Sequence, residues 1–80
     1  MPTVLRVHGL RFVLWPNDHS PPYVHVFLAD AEATILLGEP GVYPRLLENR
    51  RMGRRDLARA LKAVLEHQAM LQLRWSEIHG

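Results

Sequence analysis

Apolar side chains recur at about every second position through the first 37 residues, and at intervals of three or four from residue 54 onward. The first period is that of extended chain, whose side chains alternate between faces, and the second is that of a helix. TVLRV and LRFVLW flank His8-Gly9, where glycine tolerates the positive φ of a tight hairpin turn, so strands are predicted over residues 3–7 and 10–15. YVHVFLA and AEATILL flank Asp30 and predict a second hairpin, with strands over residues 23–29 and 31–37. Pro16, Pro21 and Pro22 cannot donate to a sheet ladder, and they make residues 16–22 a stiff connecting loop. Residues 38–53 read as irregular, with Pro44 placed to start a short helix through Asn49.

Over residues 54–79, Leu57, Leu61, Val64, Leu71, Trp75 and Ile78 share one narrow stripe at 100° per residue, and Arg55, Arg59, Lys62, Glu66 and Glu77 lie opposite. The predicted fold is α+β: a four-stranded antiparallel sheet of two hairpins, with one long C-terminal amphipathic helix packed on it, as a single domain over residues 1–80. Gly53 stands at the helix N-cap without a capping side chain, and Asp56 sits near the positive end of the helix dipole. Gln68 falls inside the apolar stripe. A buried amide needs partners, so Gln68 either meets a polar group or marks where the helix overhangs the sheet.

Composition narrows the chemistry. A chain of 80 residues buries only about 60–65% of its unfolded surface, which argues against a deep substrate cavity. Without cysteine there are no disulfides, thiolate zinc sites or thiol catalysis. The opening run carries Arg6, His8 and Arg11, so it fits neither a signal-peptide core nor a membrane span, and a cytoplasmic protein without membrane partners is expected. Net charge is +2, yet residues 45–62 hold seven basic residues against Glu48 and Asp56.

The stretch NDHSPPYVHV holds two of the five histidines. Alternation puts Tyr23, His25 and Phe27 on one strand face and Val24, Val26 and Leu28 on the other, and the aliphatic face suits the core. His25 then lies on the open face, near the loop that carries Asp18 and His19. Half-buried packing explains such a histidine without any function. As a metal set, Asp18, His19 and His25 supply a carboxylate and two imidazoles, but their spacing follows no zinc motif. As acid and base, His19 and His25 beside arginines would be the catalytic candidates of an RNA-cleaving site. His67 reads as boundary packing, His8 as a turn residue and His79 as part of a frayed terminus.

These residues carry a resemblance. The opening MPT, the Gly9 turn, DHSPPYVHV, Glu32-Ala33, RRDLARAL and EHQAMLQLRW together resemble a small bacterial family known as domain of unknown function four-one-six-zero. The family typically shows Asp-His-x-Pro-Pro-His-x-His. Asp18, His19, Pro21, Pro22 and His25 match it, and Tyr23 replaces the middle histidine, which weighs against a metal; zinc binding is expected to be weak or absent, and no cofactor is called for. Relatives also tend to carry a capping serine where this chain has Gly53. The resemblance implies that His67 and Trp75 share a purpose with His19 and His25, and the candidate binding set is Asp18, His19, Tyr23, His25, His67 and Trp75. It further implies a two-gene, toxin–antitoxin-like system in which the partner is a small protein encoded nearby.

Three functions compete. The first is a protein-interaction or regulatory module using the aromatic-imidazole face and a free sheet edge. The second is nucleic-acid binding through Arg50, Arg51, Arg54, Arg55 and Arg59, although a charged outer helix face is commonly plain solvation. The third is an RNA-directed toxin or ribonuclease using His19, His25 and nearby arginines. The interaction module is the reading carried forward, RNA-directed action is its alternative, and catalysis and oligomeric state are left open.

Overall fold

The structure, a computed structural model, describes residues 3–80; Met1 and Pro2, part of the resemblance, lie outside the described residues. Among the described residues the fold is α+β, with five strands rather than four and two helices rather than one. The strands are β1 (Thr3–Val7), β2 (Leu10–Val13), β3 (Tyr23–Leu28), β4 (Ala31–Leu36) and β5 (Arg45–Arg50), followed by α1 (Arg54–Glu66) and α2 (Gln68–His79). All neighbours pair antiparallel in the order β1-β2-β3-β4-β5, so the sheet is a simple meander.

Both expected hairpins form. His8 and Gly9 take φ of 52° and 81°, and Ala29 takes 52°, which is the positive-φ geometry that tight hairpin turns require. Register then sets the two faces. Phe12, Val26 and Ala33 stand side by side, as do Val24 and Ile35, and all five are buried. The helices cover this face with Ala60, Ala63, Val64 and Leu71. No helix among the described residues is long and apolar enough to cross a membrane.

The fifth strand corrects the expectation of an irregular stretch with a short helix from Pro44 to Asn49. Thr34 pairs with Glu48 and Ile35 with Leu46, which leaves Leu47 as an extra residue in a β-bulge. That bulge puts Leu46 and Leu47 in succession and erases the period-two signal. Buried Pro44 precedes the strand, and buried Met52 follows it. Between them Asn49 accepts a hydrogen bond from the Met52 N–H at 3.0 Å and donates one to the Met52 carbonyl at 3.0 Å, closing the turn in which Arg51 takes φ of 67°.

The helix is interrupted at His67, whose φ of −117° and ψ of 17° are not helical. Its backbone N–H is shared between the carbonyls of Ala63 and Val64, and its imidazole Nδ1 lies 3.1 Å from the Ala63 carbonyl. The next residue gives the break its purpose. Gln68 is buried, and its Oε1 accepts the Gly38 N–H at 2.6 Å while its Nε2 donates to the Val42 and Glu39 carbonyls at 2.7 and 3.2 Å. A loop that follows β4 is thereby tied to the start of α2. Gly38 fits there because it lacks a side chain: a Cβ would stand 3.1 Å from the Val42 carbonyl and 3.2 Å from Gln68 Oε1.

At the other helix end the expectation holds. Gly53 is extended and caps α1 without a side-chain bond, and Asp56 in the first turn pairs with Arg59 at 2.9 Å.

Replacing Gln68 by leucine keeps the volume but strands three backbone groups. The expected loss is about 2–4 kcal/mol, read by urea unfolding, against less than about 1 kcal/mol for truncation of an exposed α2 residue such as Ser76→Ala. Equal stability of Gln68→Leu and the parent would remove the amide clamp from this account.

Candidate imidazole–carboxylate site

The face of the sheet away from the helices is assembled by register. Val13 lies beside His25 and His25 beside Thr34, while Arg11 lies beside Phe27 and Phe27 beside Glu32. His25 is thus placed on the open face, as its alternation with buried Val24 and Val26 implies.

The connecting loop folds back over this face. Its first turn is closed by Asp18: the Asp18 N–H donates to the Trp15 carbonyl at 3.1 Å, and the Trp15 N–H donates to Asp18 Oδ2 at 3.3 Å. This turn ends β2 at Val13, two residues earlier than expected, and aims the Asp18 carboxylate at the sheet.

There Asp18 meets His25. Its Oδ2 lies 3.3 Å from His25 Nε2, and Glu32 Oε2 lies 3.2 Å from His25 Nδ1. One imidazole therefore stands between two carboxylates. The Glu32 contact has hydrogen-bond geometry, whereas Nε2 is buried and lacks an aligned hydrogen-bond partner despite the short distance to Asp18. A neutral imidazole carries one ring proton and can donate to one side only; the imidazolium can donate to both.

Aromatic contacts extend the site along the sheet. Tyr23 meets His25 edge-on with ring centroids 5.4 Å apart, and His25 stacks toward Phe27 at 6.4 Å. The Arg11 guanidinium lies 5.0 Å from the Phe27 centroid. In the other direction Tyr23 meets Trp75 at 5.7 Å, and Trp75 stacks on His79 at 3.7 Å. His79 in turn places Nε2 3.2 Å from the Trp15 carbonyl and Nδ1 3.0 Å from the Trp75 carbonyl. The terminus expected to fray is therefore fastened to the start of the loop.

Four of the expected site residues come together: Asp18, Tyr23, His25 and Trp75. His19 is exposed, and among the described residues its side chain enters no hydrogen bond or ion pair; Asp18 is the loop residue that reaches His25. His67 sits at the helix break on the Ala63 carbonyl, and Trp75 is the helical residue that reaches the site. Glu32, Arg11, Phe27 and His79 complete the cluster. Glu32 could have been found by folding the hairpin about its turn, since it lies one pair from His25 on the same face.

The arrangement limits the chemistry available. Among the described residues no group of three His, Cys, Asp or Glu side chains is placed to hold a metal ion. A general base needs an accessible ring nitrogen facing its substrate, but both nitrogens of His25 face protein carboxylates. A groove of about 270 Å³ lies elsewhere, lined by Val7, His8, Arg59, Lys62, Ala63 and Glu66, and shares no residue with the cluster. What the imidazole does is hold: it joins the loop to the sheet.

Burial first, then the hydrogen bond to Asp18 and the charge of its carboxylate, push the Tyr23 phenol above its ordinary 10.0, opposed by a backbone hydrogen bond at His19.

Alanine at His25 leaves Asp18 and Glu32 facing each other and should cost about 1–3 kcal/mol, whereas His19→Ala should stay within about 0.5 kcal/mol; paired thermal melts decide, and equal effects would contradict this assignment. Tyr23 supplies a pH test. Its folded-state pKa lies above the unfolded value of 10.0, so the neutral phenol's contribution is intact below that pH and is lost as pH rises further. Tyr23→Phe should flatten the fall in melting temperature between about pH 9 and about pH 11, and an unchanged slope would count against the raised pKa of the phenol.

The residues that carried the sequence resemblance now have places: the Gly9 turn, the Asp18 loop, the start of β3, Glu32-Ala33 of β4, the first turns of α1, and the helix break with α2. Searches among curated proteins and among solved structures find no significant match. A family model described as Domain of unknown function (DUF4160) matches residues 9–76, and the chain belongs to that family.

Proposed function

We propose that this chain is a protein-interaction or regulatory module of a two-gene, toxin–antitoxin-like system whose other member is a small protein encoded nearby. One observation carries the reading. Among the described residues six large hydrophobic side chains are exposed, and four of them fall in one short segment: Val42, Tyr43, Leu46 and Leu47, exposed by 55%, 64%, 37% and 46%. Scattered exposed apolar residues are ordinary, but a run of them beside a sheet edge is what an interface leaves on a free protomer. The imidazole–carboxylate cluster supports the same reading in a different way, because it stiffens the opposite face rather than opening it to a substrate.

RNA-directed action is the second reading, and it draws on Arg50, Arg51, Arg54, Arg55 and Arg59, all exposed. Two of them are already paired, Arg51 with Asp30 at 3.3 Å and Arg59 with Asp56 at 2.9 Å. A two-histidine cleavage site would need His19 and His25 facing one phosphate, whereas His25 faces two carboxylates.

Co-expression with the product of the neighbouring short gene tests the proposal. The expected outcome is a stoichiometric complex on gel filtration that is lost when Tyr43 and Leu47 are both changed to serine, with the variant's melting temperature within a few degrees of the parent. Elution of the parent chain alone, or with RNA in place of protein, would overturn it.

A further inference from the structure

The exposed segment is also the edge of the sheet. β5 pairs with β4 on one side only, and all six of its residues are exposed, so about 20 Å of strand presents backbone N–H and C=O groups outward. The opposite edge differs. β1 is half-buried along most of its length, and its own ladder is interrupted between Thr3 and Leu5.

Resting on the interaction reading above, we infer that β5 is a strand-addition site, and that its occupant is an extended segment of another protein in which acidic residues alternate with apolar ones. Apolar side chains of such a strand would meet Leu46 and Leu47, with Tyr43 and Val42 at the entry to the strand. Charge selects the rest. Arg45, Arg50 and Arg54 stand beside Glu48 along this edge, with Glu32 of β4 opposite Arg50 and Arg51 paired to Asp30, so the edge keeps an excess of positive charge. Directly opposed like charges destabilise a strand pair, so a second copy, bringing the same arginines, is disfavoured; an acidic strand is favoured.

The edge is also built to be held still. Buried Pro44 and buried Met52 fix its two ends, the Asn49 side chain brackets the turn beyond it, and Gln68 fixes the Val42 carbonyl at 2.7 Å. A strand already ordered in its paired geometry loses little entropy when a partner is added. The bulge at Leu47 and the arginines discourage indiscriminate edge pairing, which is the usual means of keeping a necessary edge from aggregating.

The probe is a synthetic octapeptide of alternating glutamate and valine, followed by backbone amide NMR of the full chain, with a lysine–valine octapeptide as control. Saturable shifts centred on Arg45–Arg50 are expected, with affinity at least about tenfold above the control. In Arg45→Glu/Arg50→Glu the preference should reverse toward the lysine–valine peptide, and an N-methylated glutamate–valine peptide, unable to form the ladder, should lose the shifts. Equal affinity for both peptides, shifts centred elsewhere, a dimer in the absence of peptide, or tighter binding of a single-stranded RNA oligonucleotide at the same amides would overturn the inference. The two proposals fail separately. A complex with the neighbouring gene product that depends on Tyr43 and Leu47, without peptide-induced shifts on β5, sinks strand addition and leaves the module. Peptide binding without that complex does the reverse.

Discussion

The side-chain amide of Gln68 is the contact on which the arrangement of this small protein depends. It is buried, it is among the first residues after the helix break, and its three hydrogen bonds all go to the backbone of the loop between β4 and β5. A loop of that kind has few backbone partners of its own, and burying its groups without partners would be costly. By satisfying them from the helix, Gln68 sets the direction of α2 and the starting point of β5 together. Gln72, one turn later, adds a bond to the Gly38 carbonyl at 3.2 Å and lies on the same side of the helix.

Both functional regions follow from that constraint. With α2 so directed, Leu71 enters the core and Trp75 reaches Tyr23, which brings the aromatic row to His25 and fastens His79 against the Trp15 carbonyl. With the loop so held, Val42 and Tyr43 emerge beside the free edge instead of folding under the sheet. A polar residue inside an apolar stripe therefore does more here than a leucine of equal volume would, since leucine could fill the space but could not specify which loop conformation fills it with α2.

Much of the fold was legible because its signals are local. Alternation assigned Val24 and Val26 to the core and His25 to the open face, and the glycine and aspartate turns located both hairpins. What was missed depends on pairing at a distance. The bulge that makes Leu46 and Leu47 consecutive is defined by β4, so no window confined to residues 45–50 reveals a strand there. The helix break is invisible to periodicity because the apolar stripe continues through it: Val64, Gln68, Leu71 and Trp75 are all buried across the interruption. Within the site, Asp18, Tyr23 and His25 were found from one short motif, and Trp75 from its place on the helix. Glu32 and Arg11 needed the sheet register, and His79 needed the tertiary contact that keeps a chain end from fraying.

The distribution of exposed and buried polarity distinguishes what holds this protein together from what it offers to others. On the open face the polar groups are occupied locally: His25 lies between Asp18 and Glu32, and Arg11 is engaged by Phe27 and, at 3.4 Å, by Thr3. Groups so occupied have little left with which to recognise a ligand. Along β5 the balance is reversed, with apolar side chains uncovered and arginines in excess over the single Glu48. Exposed apolar area disfavours the free state in water, while unbalanced like charge opposes self-association. A surface that carries both costs at once is relieved by a strand that is apolar at alternate positions and acidic between them.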